Sequence, residues 1–536
     1  MASHHEPTPT RGRARRAAPK GRRVRKAEPT GRRAEPSSRR AEDGRSTAKA
    51  LGLTLVSALL PGSGYLMAGR RRLGATVLGF TLFLGVIAGG YVVIKGSDVL
   101  ELAVNPTQLL LVTVGMVLLV VGWVAVIITS HRMLRPQGGS TGSRALGAAL
   151  VGLLCFAITA PMALAAETAM VQRDLLNKVF ADGKSATRKE VANENDPWAG
   201  KPRLNILLLG ADDGPGRKGV RTDTVIVASI DTKTGATALI SLPRKLMFMP
   251  FPEDSPLHEK YPDGFGKDGI SLQERLEWML DAMYQNIPDK YPGILGQSDN
   301  EGADILKVSV GEAVGLEIDY YAQINLKGFT SIVDALGGIT VNINYPIPVG
   351  GSDDAKRPPN YYLQPGPNKH LMGLEALWYA RGRYQIPNPD DARSARQRCA
   401  INAIAAKANP ANLVLSYQKL AAAGKDLIRT DIPQNLLPEF IKLGLKVKGA
   451  KVAAVPLDGK ALKFAYPHPD YDGLRAVVAK ALKPKTAPSK PSTSTGPTTG
   501  TPTKKPTTPS KPGKIDENGQ QDLKSACEYD PVSPDR

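Results

Sequence analysis

Four apolar stretches in the first third of the chain constrain its fold more than any other feature. They cover residues 50–67, 73–94, 109–128 and 145–166. The last three approach the roughly 20 residues that a bilayer-spanning helix needs. None carries a charge in its interior, and each is apolar all round rather than striped, unlike a soluble amphipathic helix.

The first stretch differs. It is interrupted by Pro61-Gly62-Ser63-Gly64 and is followed by Arg70, Arg71 and Arg72. If all four stretches spanned, a cytoplasmic N-terminus would place the large C-terminal region in the cytoplasm and strand those arginines outside. If residues 50–67 form a re-entrant or interfacial segment, every loop obeys the positive-inside rule. Arg70–72 and the loop with His131, Arg132, Arg135 and Arg144 then lie inside, and Asp98, Glu101 and everything after residue 166 lie outside. Three spans are therefore expected, in a multi-pass membrane protein with a cytoplasmic N-terminus. A cleaved leader is not expected, because the apolar run starts late and further spans follow.

Residues 1–49 hold 15 Lys/Arg against 5 Asp/Glu and supply half of the formal charge of +20. With almost nothing to bury, they are expected to be disordered. The preferred reading is a tail lying near anionic headgroups, ahead of a merely solvated tail. A nucleic-acid-binding arm ranks last, because no aromatic residues interleave the arginines. The three cysteines, Cys155, Cys399 and Cys527, form no CxxC or Cys/His cluster, which argues against zinc. In an extracytoplasmic setting Cys399 and Cys527 have the option of pairing.

After a connector at 167–200, short apolar runs at 204–209, 224–230 and 236–242 read as buried strands. Further strands are expected at 321–325, 339–343 and 452–455. Helices are expected at 272–284, 303–314, 329–336, 373–379, 392–407, 411–423, 433–445 and 471–482. The interleaving predicts an α/β or α+β domain over 201–482 with a central sheet covered by helices; the α/β reading, of α-β-α type with a mixed sheet, is preferred. Residues 483–514, rich in Pro, Thr, Ser and Lys, form a linker that cannot pack a core, followed by a tail at 515–536.

Charged groups gather at strand ends. The first strand runs into Gly210-Ala211-Asp212-Asp213-Gly214, Arg221-Thr222-Asp223-Thr224 opens the second, and the third ends at Leu242-Pro243-Arg244-Lys245. A loop of Arg–Asp ion pairs is one reading. Oxygen ligands for Mg²⁺ beside a phosphate-binding arginine is the other. No GxGxxG or GK[ST] loop is present. Downstream, Arg381 and Arg383 close a helix. Arg393 and Gln397, four apart, share a face near the start of the next one. An arginine at a helix N-terminus opposes the macrodipole, so an anion held by several guanidiniums would explain it.

Together these blocks, with Val333-Asp334-Ala335-Leu336-Gly337-Gly338 and Arg393-Ser394-Ala395-Arg396-Gln397, resemble the LytR–CpsA–Psr family over residues 203–402. The resemblance implies an α/β domain that binds polyprenyl pyrophosphate, with the lipid in an apolar cleft. It implies a phosphotransferase that moves a lipid-linked glycopolymer onto the muramic-acid hydroxyl of peptidoglycan. On this resemblance Asp212 and Asp223 are ligands of Mg²⁺ (or Mn²⁺). Arg221, Arg244, Arg381 and Arg383 clamp the pyrophosphate, completed by Arg393 and Gln397, and Asp223, Arg221, Arg244 and Arg381 are the catalytic set. The partners implied are the lipid-linked glycopolymer, peptidoglycan and membrane lipid, with no nucleic acid. Two positions depart from the family pattern: Gly214 replaces an arginine, and Lys245 an acidic residue. The alternative is a non-catalytic module that binds polyprenyl phosphate or regulates the envelope. A transporter has little support, because the spans lack intramembrane charge.

Overall fold

The computed structural model describes residues 36–94, 104–136, 140–180, 183–191, 193–194, 196–212, 220–352, 356–407, 428–457, 468–483 and 515–531. Gly214, the helix expected at 411–423 and nearly all of the linker lie outside these.

Among the described residues, five helices precede the sheet domain: α1 (Pro36–Leu59), α2 (Ser63–Met67), α3 (Arg71–Ile94), α4 (Pro106–Leu134) and α5 (Thr141–Val179). The expectation of disorder through residue 49 gives way at Pro36. Ala, Arg, Glu and Lys are good helix formers, and the apolar half of α1 supplies the anchored turns from which they extend. Three helical segments are long and apolar enough to cross a bilayer: Arg71–Gly90, Pro106–Leu134 and Thr141–Asp174. The apolar part of α1 is shorter, Thr47–Leu59.

Contacts trace a hairpin against α4. Thr54 Oγ1 lies 3.0 Å from His131 Nδ1, and Trp123 Nε1 donates to Ala58 O at 2.9 Å. The chain then reverses, and Tyr65 Oη returns to Thr129 Oγ1. Gly62 makes the turn at φ +102°, where a Cβ would stand 2.5 Å from the Leu78 amide of α3. Only glycine tolerates both the conformation and the approach.

The first part of the connector expected at 167–200 is a continuation of α5, which passes through Pro161 and ends at Val179. No capping residue interrupts it, so a single lost hydrogen bond leaves the register intact.

The domain continues with β1 (Arg203–Ala211), β2 (Thr222–Asp231), β3 (Thr237–Leu242), α6 (Pro256–Lys260), α7 (Leu272–Arg275), α8 (Leu280–Lys290), α9 (Glu301–Val314), β4 (Tyr320–Asn325) and α10 (Leu326–Ala335). Then come β5 (Ile339–Ile343), β6 (Ile347–Ser352), β7 (Arg357–Leu363), β8 (Gly366–Leu371), α11 (Gly373–Arg381), α12 (Pro389–Lys407), β9 (Ile428–Thr430), α13 (Leu437–Gly449), β10 (Val452–Val455), α14 (Tyr471–Ala481), β11 (Gln521–Asp522) and α15 (Leu523–Ala526). Seven strands form the central sheet in the order β11-β10-β3-β2-β1-β4-β9. β1 pairs antiparallel with β2 and parallel with β4, and β3 parallel with β10, so the sheet is mixed.

Alternation along β2 sends Val225 and Val227 to one core and Ile226 and Ala228 to another. The first face packs on α8, α9 and α14 through Leu280, Met283, Leu306, Val310, Leu474 and Val478. Helices on both faces make the α-β-α sandwich.

The strand expected at 339–343 forms and pairs with β8 outside the central sheet. The β6–β7 hairpin, unforeseen, adds a further two-stranded sheet. One expectation needs correction. The helix expected over 272–284 breaks at Met279, whose backbone is extended. The broken turn is held from outside, because Arg221 Nη1 captures Leu276 O at 2.8 Å and Asn286 Nδ2 captures Glu277 O at 2.8 Å.

Candidate active site

Asp212, Asp223, Arg381, Arg393 and Gln397 come together at the ends of β1 and β2, facing α11 and α12, while Arg244, Arg383 and Arg221 stand around them, paired with Asp223, Asp390 and Glu277. Asp212 follows β1, and its amide donates to Arg221 O at 2.9 Å. This ties the two strand ends together beyond the bulge between Gly210 and Ala211. Asp223 opens β2, and Arg244 follows β3. Arg381 ends α11, while Arg393 and Gln397 project from the first turns of α12.

Behind these groups lies a cavity of about 340 Å³ between the sheet and α10, α11 and α12. Leu208, Ala322, Ile324, Phe329, Ile332, Leu377, Ile401 and Ile404 give it apolar walls, and Asp212, Asp223, Arg381, Arg393 and Gln397 stand among its lining residues. The predicted shared face of Arg393 and Gln397 is observed. Gln397 Nε2 donates to Thr224 Oγ1 at 2.8 Å. Arg396 points elsewhere, donating to Tyr345 Oη at 3.0 Å and to Gly382 O.

The arginines sit in a web of carboxylates. Arg244 Nη1 donates to Asp223 Oδ1 at 2.8 Å and to Asp281 Oδ2 at 3.2 Å. Arg381 Nη2 lies 3.2 Å from Asp212 Oδ2 and 3.8 Å from Asp223 Oδ2. Arg221 pairs with Glu277 Oε1 at 2.6 Å and stands 3.6 Å from Asp281 Oδ1. Arg383 and Arg393 both turn to Asp390 Oδ1, at 3.0 and 3.4 Å.

Burial sets the electrostatics. It lowers the proton affinity of the Arg393 guanidinium to about 10, helped by the neighbouring positive charge of Arg244. It also lowers that of Arg381. Arg244 moves the other way, because Asp223, Asp281 and Asp390 together outweigh its burial. Arg393 is 5% exposed, and its buried Nε has no hydrogen-bond partner among the described residues. A buried cationic donor left unmatched is costly, and an anion at the cavity mouth would complete it.

Sequence reasoning missed Asp281 and Asp390. Asp281 is 3% exposed in an otherwise apolar turn, Leu280-Asp281-Ala282-Met283. A carboxylate there needs a cationic partner, and that signal was available. Burial pushes it up to about 6, against the pull of Arg244 and Arg221. Asp390 looks like an ordinary helix-start acid in the sequence. Although burial raises it, its hydrogen bond with Lys245 and the charges of Arg393, Lys245 and Arg244 hold it at about 2. Lys245, a departure from the family pattern, pairs with Asp390 Oδ2 at 2.8 Å, so its charge is offset within the site.

Two carboxylates at the cavity mouth, Asp212 and Asp223, both face Arg381 Nη2. No group of three or more His, Cys, Asp or Glu residues is gathered to hold a metal among the described residues. Both carboxylates are engaged by guanidiniums, Asp212 by Arg381 and Asp223 by Arg244 and Arg381.

Cys399 and Cys527 form a disulfide across a sequence separation of 128. It fastens the C-terminal tail to α12, two residues beyond Gln397. β11 also adds an edge to the central sheet, and Asn342 Nδ2 donates to Cys527 O at 2.8 Å.

Biofilm regulatory protein A of Streptococcus mutans is 26% identical over 293 residues, covering 53% of this chain and 63% of that protein. The polyisoprenyl-teichoic acid–peptidoglycan teichoic acid transferase TagU of Enterococcus faecalis is 30% identical over 251 residues, covering 46% of this chain and 66% of its own length. The chain thus spans less than two thirds of either relative. Among solved structures, protein gbs0355 of Streptococcus agalactiae matches with a TM-score of 0.40 and 23% identity, over 54% of this chain and 90% of that one. Residues 172–465, more than half of the chain and including every candidate site residue, match the LytR_cpsA_psr family, and the chain belongs to that family.

Proposed function

We propose that this chain is a membrane-anchored phosphotransferase that moves a glycopolymer from a polyprenyl pyrophosphate carrier to a muramic-acid hydroxyl of peptidoglycan. The observation that carries this reading is Arg393, a buried guanidinium with an unmatched donor at the mouth of an apolar cavity. A prenyl chain suits the apolar walls, gaining about 0.8 kcal/mol per buried methylene. Its pyrophosphate suits the guanidiniums, which match phosphate oxygens in bidentate fashion.

In the proposed reaction the acceptor hydroxyl oxygen bonds to phosphorus and releases its proton to solvent as the bridging P–O bond breaks, and the electron pair of that bond leaves on polyprenyl phosphate. Arg393 and Gln397 hold the diphosphate against the cavity mouth. Arg244 and Arg381, positioned by Asp223 and Asp212, stabilise charge that builds on the leaving phosphate. Mg²⁺ or Mn²⁺ bound by Asp212 and Asp223 would offset further negative charge on the phosphates. No nucleotide is required, because the lipid pyrophosphate is already activated.

The reading takes three spans with a cytoplasmic N-terminus, a re-entrant or interfacial segment at 50–67, and this site on the extracytoplasmic side; the three long apolar helices support it. Leu109 at the start of α4 and Leu176 at the end of α5 share a core with Leu204 and Tyr320 of the domain. The domain therefore caps one end of the bundle, and His131, Arg132 and Arg135 lie at the other.

The test is lipid extraction and mass spectrometry of the purified full chain, together with transfer assays on lipid-linked polymer. Polyprenyl phosphate or pyrophosphate should co-purify, and Arg393→Ala should lose it. Arg381→Ala or chelation of divalent cations should cut transfer by on the order of a hundredfold. Retained lipid with no transfer under any metal would identify a non-catalytic carrier protein instead, and absence of lipid would sink both readings.

A further inference from the structure

At the end of the helical bundle opposite the sheet domain, α1, α4 and α5 enclose a second cavity, of about 140 Å³. Its lining divides in two. Ala50, Leu51, Ile128, Ala148 and Val151 form an apolar wall, and His131, Arg132, Arg135, Ser143 and Arg144 form a polar one. No carboxylate is among the lining residues, and none of the described residues forms a salt bridge with the three arginines.

The cavity is built by close packing. His131 bridges two helices, its Nδ1 meeting Thr54 of α1 at 3.0 Å. Its ring lies over Gly147 of α5, where a Cβ would stand 2.6 Å from Nε2, so a side chain there would displace the imidazole. Ser140 caps α5 through Ser143 N at 3.3 Å, which brings the amide end of a 39-residue helix to the polar wall.

We propose that this cavity binds the phosphate headgroup of an anionic glycerophospholipid. Three guanidiniums around one space repel one another unless an anion joins them. The positive end of the α5 dipole adds to the same field. A free phosphate would use only the polar wall, whereas a phospholipid uses both, with its glycerol and first methylenes against Leu51, Ile128 and Val151. Basic pockets between membrane helices are a recurrent way of holding such headgroups. The proposal does not depend on the transfer reaction, whose site lies at the other end of the bundle.

The experiment compares the full chain in neutral detergent with added phosphatidylglycerol, phosphatidylcholine or inorganic phosphate, read by native mass spectrometry and thermal unfolding. Phosphatidylglycerol should bind and raise the unfolding temperature, while the other two should do neither. The variant Arg132→Gln/Arg135→Gln/Arg144→Gln should bind phosphatidylglycerol about tenfold more weakly or worse. The control Arg70→Gln/Arg71→Gln/Arg72→Gln removes the same charge from exposed positions outside the cavity, and should stay within about twofold of the parent. If the first triple variant does not fold, Arg132→Gln and Arg144→Gln singly, both at exposed positions, should each show losses of about threefold. Equal losses in the two triple variants would overturn the site in favour of general attraction to anionic lipid. Binding of inorganic phosphate as strong as that of the lipid would overturn the choice of ligand.

Discussion

Replacing Asp281 by asparagine keeps the shape of the side chain and removes its titration. In the folded protein Asp281 holds its proton at about 6, against an ordinary 3.8, because burial outweighs the attraction of Arg244 and Arg221. The folded state therefore binds this proton more tightly than the unfolded chain does. The group's stabilising contribution is complete below pH 4 and is lost as the pH rises through about 6. A displacement of that size corresponds to about 3 kcal/mol. At about 2 °C per kcal/mol for a domain of this size, it corresponds to about 6 °C. The assay is thermal unfolding of the parent and Asp281→Asn at pH 4 and pH 7, followed by tryptophan fluorescence, since Trp278 lies three residues away in sequence. Other titrating groups cancel in the difference between the two proteins. The variant should gain about 6 °C on the parent between pH 4 and pH 7. A difference unchanged within about 1 °C would refute the claim that burial dominates at this carboxylate.

Reduction, or the paired replacement Cys399→Ser/Cys527→Ser, should cost about 2–5 kcal/mol, because the bridge closes a loop of 128 residues. Denaturant unfolding of the oxidised and reduced protein measures this. Lys307→Met should be the more damaging change. Lys307 Nζ meets Asp431 Oδ2 at 2.6 Å with both side chains 2% exposed, so removing the cation strands a buried carboxylate at about 3–5 kcal/mol. The double variant Lys307→Met/Asp431→Leu should recover much of that loss in the same measurement.

Much of the architecture was legible in the linear chain, for a definable reason. Strands β1, β2 and β3 are continuous apolar runs because both faces of the sheet are covered. The three long helices are equally plain because a bilayer demands length and uniform apolarity. Local pattern failed where another element supplies what a segment lacks. The extended break at Met279 depends on Arg221 and Asn286 arriving from elsewhere to take carbonyls that a continuous helix would have used itself. β11 is two residues long and exists because β10 offers it an edge and Cys399 a covalent hold.

The candidate site divides along the same line. The resemblance to the LytR–CpsA–Psr family implied Asp212, Asp223, Arg221, Arg244, Arg381, Arg383, Arg393 and Gln397 as site residues, while residue types alone left a loop of Arg–Asp ion pairs equally open. What the sequence by itself determined is the three long apolar helices and a sheet covered on both faces, because burial pattern is written locally. Only the tertiary structure decided how the charges are matched. Asp281 joins Arg244 to Arg221, and Asp390 gathers Arg383, Arg393 and Lys245. Arg393 keeps a buried donor without a partner among the described residues. Pairing depends on distances between elements far apart in the chain, and it is the packing of α8, α11 and α12 against the strand ends that sets those distances.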